Sequence, residues 1–183
     1  MRIEQTPLKD CFIIHEKVHG DERGYFIESY NSRDFKGATG LDIEFVQDNQ
    51  SKSLKGVLRG LHMQIGDAAQ AKLVRVLQGA VLDIAVDLRK GSPSFGQHFS
   101  IELTAENHKQ FFVPAGFAHG FVVLSESATF FYKVDKFYQP GNEVGIIYND
   151  LDLKIDWKLP ESEIRLSEKD MLLGTFSDYK SQL

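Results

Sequence analysis

Cysteine occurs once in 183 residues, at position 11. An internal disulfide framework is therefore excluded, and a reducing compartment is expected. No stretch approaches the ~18 consecutive apolar residues of a membrane-spanning helix. The opening residues, MRIEQTPLKDCFIIHEKV, place acids and a proline where a secretion signal needs an apolar run, so a cytoplasmic location is the expectation. Excess positive charge is also lacking. Twenty-one Lys and Arg against 26 Asp and Glu leave a net charge of -5, which argues against a nucleic acid or an anionic membrane surface as partner. A small anionic ligand stays compatible, since a few local cations suffice to hold one. Helix signals are scarce, confined to NSRDFKGAT and SEKDMLLGTF. No repeat, low-complexity linker or break in composition divides the chain, so residues 1–183 are expected to form one domain, long enough to bury a core.

What the chain has in quantity is short β-prone runs. CFIIHEKV, GYFIESY, IEFVQDNQS, KLVRVLQGAVLDIAVDL, FGQHFSIELT, KQFFVPAG, HGFVVLS and ATFFYKVDKFY are rich in β-branched and aromatic residues and bounded by Gly, Pro, Asp, Asn or Ser. Gln78-Gly79, between two apolar runs, reads as a tight hairpin turn. Many short strands at this spacing predict an all-β fold, an antiparallel sandwich or barrel of the jelly-roll kind.

One strand carries chemistry that a core strand does not need. In GVLRGLHMQ, Arg59 and His62 interrupt an apolar run and flank Gly60. Side chains three apart on a regular strand face opposite ways. A bulge or kink at Gly60 would turn both into one interior. Taken alone, the pair also fits a solvent-facing arginine and a hydrogen-bonded core histidine. Other polar residues sit on neighbouring runs: Lys72 opening QAKLVRV, His119 in VPAGFAHGF, Tyr132 in FFYKV, and Lys169-Asp170 closing LSEKD. Each has a bland alternative as an edge charge, a core ring or a helix-start acid. Their number on strands that would line one barrel favours a site.

GVLRGLHMQ and FFVPAGFAHGF together resemble the two motifs of the cupin jelly-roll superfamily. The second fits its Pro-x-Gly-x-x-His pattern. The first departs from the metal-binding His-x-His, having Met63 and Gln64 after His62. A thioether and a neutral amide are poor ligands for a hard or borderline divalent ion, so no metal is expected. A closer resemblance spans about residues 3 to 172. GDERGYFIESY, FVQDNQSKS, GVLRGLHMQ, AKLVRVLQGAVLDIAVDLRKGSPSFGQ, LTAENHKQFFVPAGFAHGFVVLS, FFYKVDKFYQPGNEVGIIYND and LSEKD are similar to the dTDP-4-dehydrorhamnose 3,5-epimerase family.

That resemblance implies a cofactor-independent isomerase acting on dTDP-4-dehydro-6-deoxy-D-glucose. It implies His62 as catalytic base oriented by Asp170, Tyr132 as proton donor, and Lys72 beside the substrate's C4 oxygen. It further implies substrate and nucleotide contacts from Arg23, Glu28, Gln47, Asn49, Arg59, His119, Glu143 and Lys169, and a ring at Tyr138 that stacks on thymine. Family members are homodimers that exchange N-terminal strands, which would bring Arg23 and Glu28 to the partner's site. The chemistry agrees with these roles. A C–H beside a ketone is acidic, and one 4-ketone activates both C3 and C5. A histidine near pKa ~6.5 suits a base at neutral pH, and a tyrosine near ~10 suits a donor to an enolate carbon. A cation at the enolate oxygen supplies electrostatic stabilisation. Met63 and Tyr148 stand where the family more often has an aromatic and a tryptophan, and both read as packing changes. The alternatives are a single-centre epimerase or ketoisomerase on a related sugar nucleotide, a ligand-binding cupin without turnover, and a metal-dependent cupin oxygenase.

Overall fold

Alternation of side chains along short strands organises the computed structural model, which describes residues 1–182. In chain order the strands are β1 (Arg2–Gln5), β2 (Phe12–His15), β3 (Val18–Asp21), β4 (Gly24–Ile27), β5 (Gln47–Leu54), β6 (Leu58–Gln64), β7 (Lys72–Gln78), β8 (Ala80–Asp87), β9 (His98–Thr104), β10 (Lys109–Val113), β11 (Phe117–Val123), β12 (Ser127–Val134) and β13 (Glu143–Gly145). The helices are α1 (Ser32–Thr39), α2 (Glu168–Met171) and α3 (Phe176–Ser181). One sheet has six strands in the order β1-β2-β10-β7-β12-β5, and a second has five in the order β13-β6-β11-β8-β9. Neighbouring strands pair antiparallel throughout. The architecture is the expected all-β jelly roll.

Each face of the two sheets has its own apolar layer. Between the sheets lie Ile13, Val74, Val76, Val81, Ala85, Phe111, Phe121 and Phe130. The outer face of the five-stranded sheet, with Leu58, Leu61, Met63, Leu82 and Ile84, is covered by Ile146, Leu153, Trp157 and Phe176 from the C-terminal segment. On the other side Phe12, Ile14, Leu73 and Phe112 pack against Phe35 of α1. Buried on both faces, β8 and β11 are almost wholly apolar, interrupted by the buried polar residues Asp83, Asp87 and His119. By contrast β5, at a sheet edge, alternates between half-buried and exposed positions. Met63 packs within the outer layer, and the Tyr148 hydroxyl donates to Glu161 at 2.8 Å. Both positions are accommodated by local packing.

Two local readings are corrected. Gln78-Gly79 is not a hairpin turn. β7 pairs with β10 and β12, whereas β8 pairs with β11 and β9, so at Gly79 the chain crosses from one sheet to the other. Gly79 has φ +76, and a Cβ there would lie 2.1 Å from the Ser127 carbonyl oxygen, so the crossover requires glycine. SEKDMLLGTF contributes only the short α2. A second helix, α3, begins after Thr175, whose side chain and that of Asp178 cap each other's backbone reciprocally.

Candidate active site

The site lies between the sheets, at the end of the sandwich where polar residues replace the apolar layer. Inward alternation on β12 continues from Ala128 and Phe130 to Tyr132, and on β7 it runs back from Val76 and Val74 to Lys72. Asn49 of β5 lies opposite Tyr132 in register. From the facing sheet come Arg59 and His62 of β6, His119 of β11 and Glu143 of β13.

The bulge expected at Gly60 is present. His62 is opposite His119 and Arg59 is opposite Phe121, so three steps on β6 match two on β11. The extra residue turns Arg59 and His62 toward one side. Gly60 adopts φ +114, and a Cβ there would meet the His119 carbonyl oxygen at 2.6 Å and Gly120 Cα at 2.7 Å. Glycine is therefore required twice over, by dihedral and by space.

A cavity of about 430 Å³ is lined by Asn49, Arg59, His62, Lys72, His119, Tyr132, Glu143, Lys169 and Asp170, with Ser51 and Ser167. A second of about 330 Å³ shares Asn49, His62, Lys72, Tyr132 and Glu143 with it and adds Gln47 and Tyr138. Both volumes suit a small-molecule ligand. His62 enters from one sheet and Tyr132 from the other.

His62 Nε2 lies 2.5 Å from Asp170 Oδ1. An imidazole that donates Nε2–H to a carboxylate keeps its lone pair on Nδ1, so this partner fixes the tautomer of a base. Burial lowers the His62 pKa below its ordinary value, against the opposing pull of Asp170. The ring is therefore neutral at pH 7. Asp170 is itself placed by α2, where Ser167 caps the helix and accepts from the Asp170 N–H at 3.1 Å. Burial raises the Tyr132 phenol above its ordinary value, with Glu143 adding to the effect, so it stays protonated. Enclosure within the cavity brings the Lys72 ammonium down to about 8, despite Asp83 and Glu143 nearby. At neutral pH it remains mostly a cation. Arg59 Nε donates to Ser53 Oγ at 3.2 Å, and Lys169 pairs with Glu143 across the rim.

Eleven of the thirteen residues singled out in the sequence come together here. Arg23 and Glu28 do not. Arg23 lies in the turn between β3 and β4, exposed and paired with Asp21, while Glu28 accepts from Asn31. One participant was missed. Asp83 of β8 is fully buried, and its Oδ1 accepts from His119 Nε2 at 2.8 Å. The available signal was an acid inside LDIAVDL, since a carboxylate is kept in an apolar strand only where a partner meets it.

The arrangement offers a neutral base and a phenol donor on opposite walls, with a cation between strands that could meet an oxyanion. The sequence model of the dTDP-4-dehydrorhamnose 3,5-epimerase family matches residues 5–178. A dTDP-4-dehydrorhamnose 3,5-epimerase of Pseudomonas aeruginosa is 52% identical over 178 residues, covering 97% of each chain. The crystal structure of the enzyme of that name from Elizabethkingia anophelis superposes with a TM-score of 0.94 at 58% identity, covering 97% of each chain. That of the dTDP-6-deoxy-D-glucose-3,5-epimerase of Legionella pneumophila, in complex with dTDP-4-keto-L-rhamnose, gives 0.92 at 48% identity, covering 96% of this chain and 93% of that one.

Proposed function

The chain belongs to the dTDP-4-dehydrorhamnose 3,5-epimerase family, and on that premise we infer which of its side chains move the protons. The protein is an isomerase with dTDP-4-dehydrorhamnose 3,5-epimerase activity. The reaction inverts the two carbons beside the 4-ketone of a dTDP-sugar. His62, held by Asp170, takes the proton from one face. The electron pair flows into the ketone, and Lys72 meets the enolate oxygen. Tyr132 returns a proton to the other face. After one inversion His62 carries an extra proton and Tyr132 lacks one. Both must exchange with solvent before the second centre turns over.

The observation that carries these roles is the placement of His62 and Tyr132 on facing sheets around one cavity. Inversion requires departure and return on opposite faces, and a base and an acid on one wall could not supply both. Arg59 and Lys169 are the cations within reach of a diphosphate, and Tyr138 at the edge of the adjoining cavity is the ring that meets thymine. His119, Gln47, Asn49 and Glu143 complete the contacts.

We also propose a cytoplasmic homodimer whose subunits are each a single domain of residues 1–183. The β3–β4 ribbon forms a sheet of its own, with Tyr25 62% and Phe26 69% exposed. Such exposed rings fit a second copy, whose cavity would receive Arg23 and Glu28.

Proton NMR of dTDP-4-dehydro-6-deoxy-D-glucose with the enzyme in D2O tests the reaction course. Deuterium at both C3 and C5 is expected, and incorporation at one carbon alone would refute the double inversion.

A further inference from the structure

We propose that Gln64 and Gln70 are positioning residues that clamp the segment Lys136–Gln139 and thereby set the ring of Tyr138 against the nucleotide base. The inference rests on the reading of Tyr138 given above. β12 ends at Val134, and the next regular element is the single turn Pro140–Asn142. Between them the chain presents Phe137 and Tyr138 outward, 67% and 47% exposed. A ring so exposed has little packing to fix it, so its place depends on how the flanking backbone is held.

Two buried amides hold it. Gln64, 4% exposed, accepts from the Gln139 N–H on Oε1 at 3.0 Å. Gln70, 9% exposed, donates Nε2–H to the Lys136 carbonyl at 2.7 Å. These bonds attach to the residues two before and one after Tyr138, and both amides line the same cavity as its ring. Gln64 lies two residues beyond His62 on β6, on the same inward face. The strand that carries the base is thus tied directly to the loop that carries the ring.

The chemistry of position 64 argues that the clamp is kept for function. Gln64 Nε2 is buried without a hydrogen-bond partner among the described residues. An unmatched buried donor costs free energy, which leucine or methionine at the same place would not incur. What only the amide provides is an acceptor for Gln139. Position 64 is also where a metal-binding cupin offers its second histidine. Here that position serves to hold a loop.

A double-mutant cycle tests this, using dTDP binding by calorimetry and steady-state kinetics on the full-length enzyme. Gln64→Leu is expected to weaken dTDP roughly tenfold, the effect of freeing one anchored backbone donor, and to raise KM while kcat falls less than about threefold. In the Tyr138→Ala background the same change should add less than about twofold, because a residue acting through Tyr138 has nothing left to position. Gln70→Leu, outside β6, should behave alike and serves should Gln64→Leu not fold. Full multiplication of the two effects, or wild-type dTDP affinity in the glutamine variants, would overturn the clamp. If Tyr138→Ala alone left dTDP affinity unchanged, the reading of Tyr138 would fall and the clamp with it. That outcome is distinct from one in which only the glutamines prove silent.

Discussion

At the scale of single residues, the proposed roles need two titratable groups in opposite states at one pH. Burial lowers His62 and raises Tyr132, so both shifts favour the forms that the proposed roles need, a neutral base and a protonated donor. His62→Ala should lower kcat by ~10²–10⁴, the usual worth of a positioned base, while dTDP affinity stays within about threefold. Calorimetry beside kinetics separates the two. Tyr132→Phe should still wash substrate protons into D2O yet give little inverted product, since on the proposed roles removal needs His62 and return needs the phenol. The pH profile follows from the same shifts. With His62 as the proposed base, activity needs it neutral, so kcat/KM should fall only as pH drops below ~6.5. Lys72 loses its charge near 8, well before Tyr132 ionises, so the alkaline limb should fall near 8. Lys72→Arg should move that limb upward out of the measurable range, even if it slows turnover. An alkaline limb that stayed near 8 in Lys72→Arg would assign it to another group. The polar residues within apolar runs, His62, Lys72 and Tyr132, were legible because their burial needs a reason. Asp83 carried the same signal within LDIAVDL, but its partner was not legible, because His119 is thirty-six residues away and only the β8–β11 register joins them.

At the scale of elements, the decisive feature is β6, where one inserted residue turns a core strand into a wall of the site. Gly60 was legible from the three-residue spacing between two polar side chains. The crossover at Gly79 was misread for a physical reason. A glycine turn between apolar runs is the local signature both of a hairpin and of a switch between packed sheets, and long-range pairing chooses between them. The extent of the helix after Ser167 was equally illegible, since α2 and α3 are short and held by capping and by Phe176 in the outer core. Gly60→Ala tests the bulge. The added methyl would strain a φ of +114 and press on the His119 carbonyl and Gly120, which cannot move without opening the β6–β11 pairing. A loss of about 2 kcal/mol is expected, or roughly 4–8 °C in Tm for a chain of this size. Activity should fall more than about tenfold in the folded fraction, because Arg59 and His62 share the displaced strand. An active, normally stable Gly60→Ala protein would show that the bulge does not place the pair.

At the scale of the whole molecule, the described chain builds most of a site and leaves two of its expected contacts, Arg23 and Glu28, outside the cavity. The ribbon that carries Arg23 in its turn and ends before Glu28 belongs to neither large sheet, and Tyr25 and Phe26 stay largely exposed although Tyr25 touches the His108 ring. No periodicity of one chain can reveal this, because the contact would be made between copies. An exchange of activity between two crippled proteins tests it. Arg23→Ala homodimers should bind substrate poorly, with KM raised at little cost to kcat, and His62→Ala homodimers should be inactive. Co-expressed and refolded together at equal amounts, they should form mixed dimers in half the population. In each mixed dimer one cavity takes His62 from its own chain and Arg23 from the other, and so regains both. About a quarter of wild-type sites should then be restored, measured at a substrate concentration well below the KM of Arg23→Ala. If Arg23 instead served its own chain, no mixed site could hold both residues, and mixing would give only the average of the two parents. The size of the recovery, rather than its mere presence, therefore decides whether the ribbon crosses between subunits.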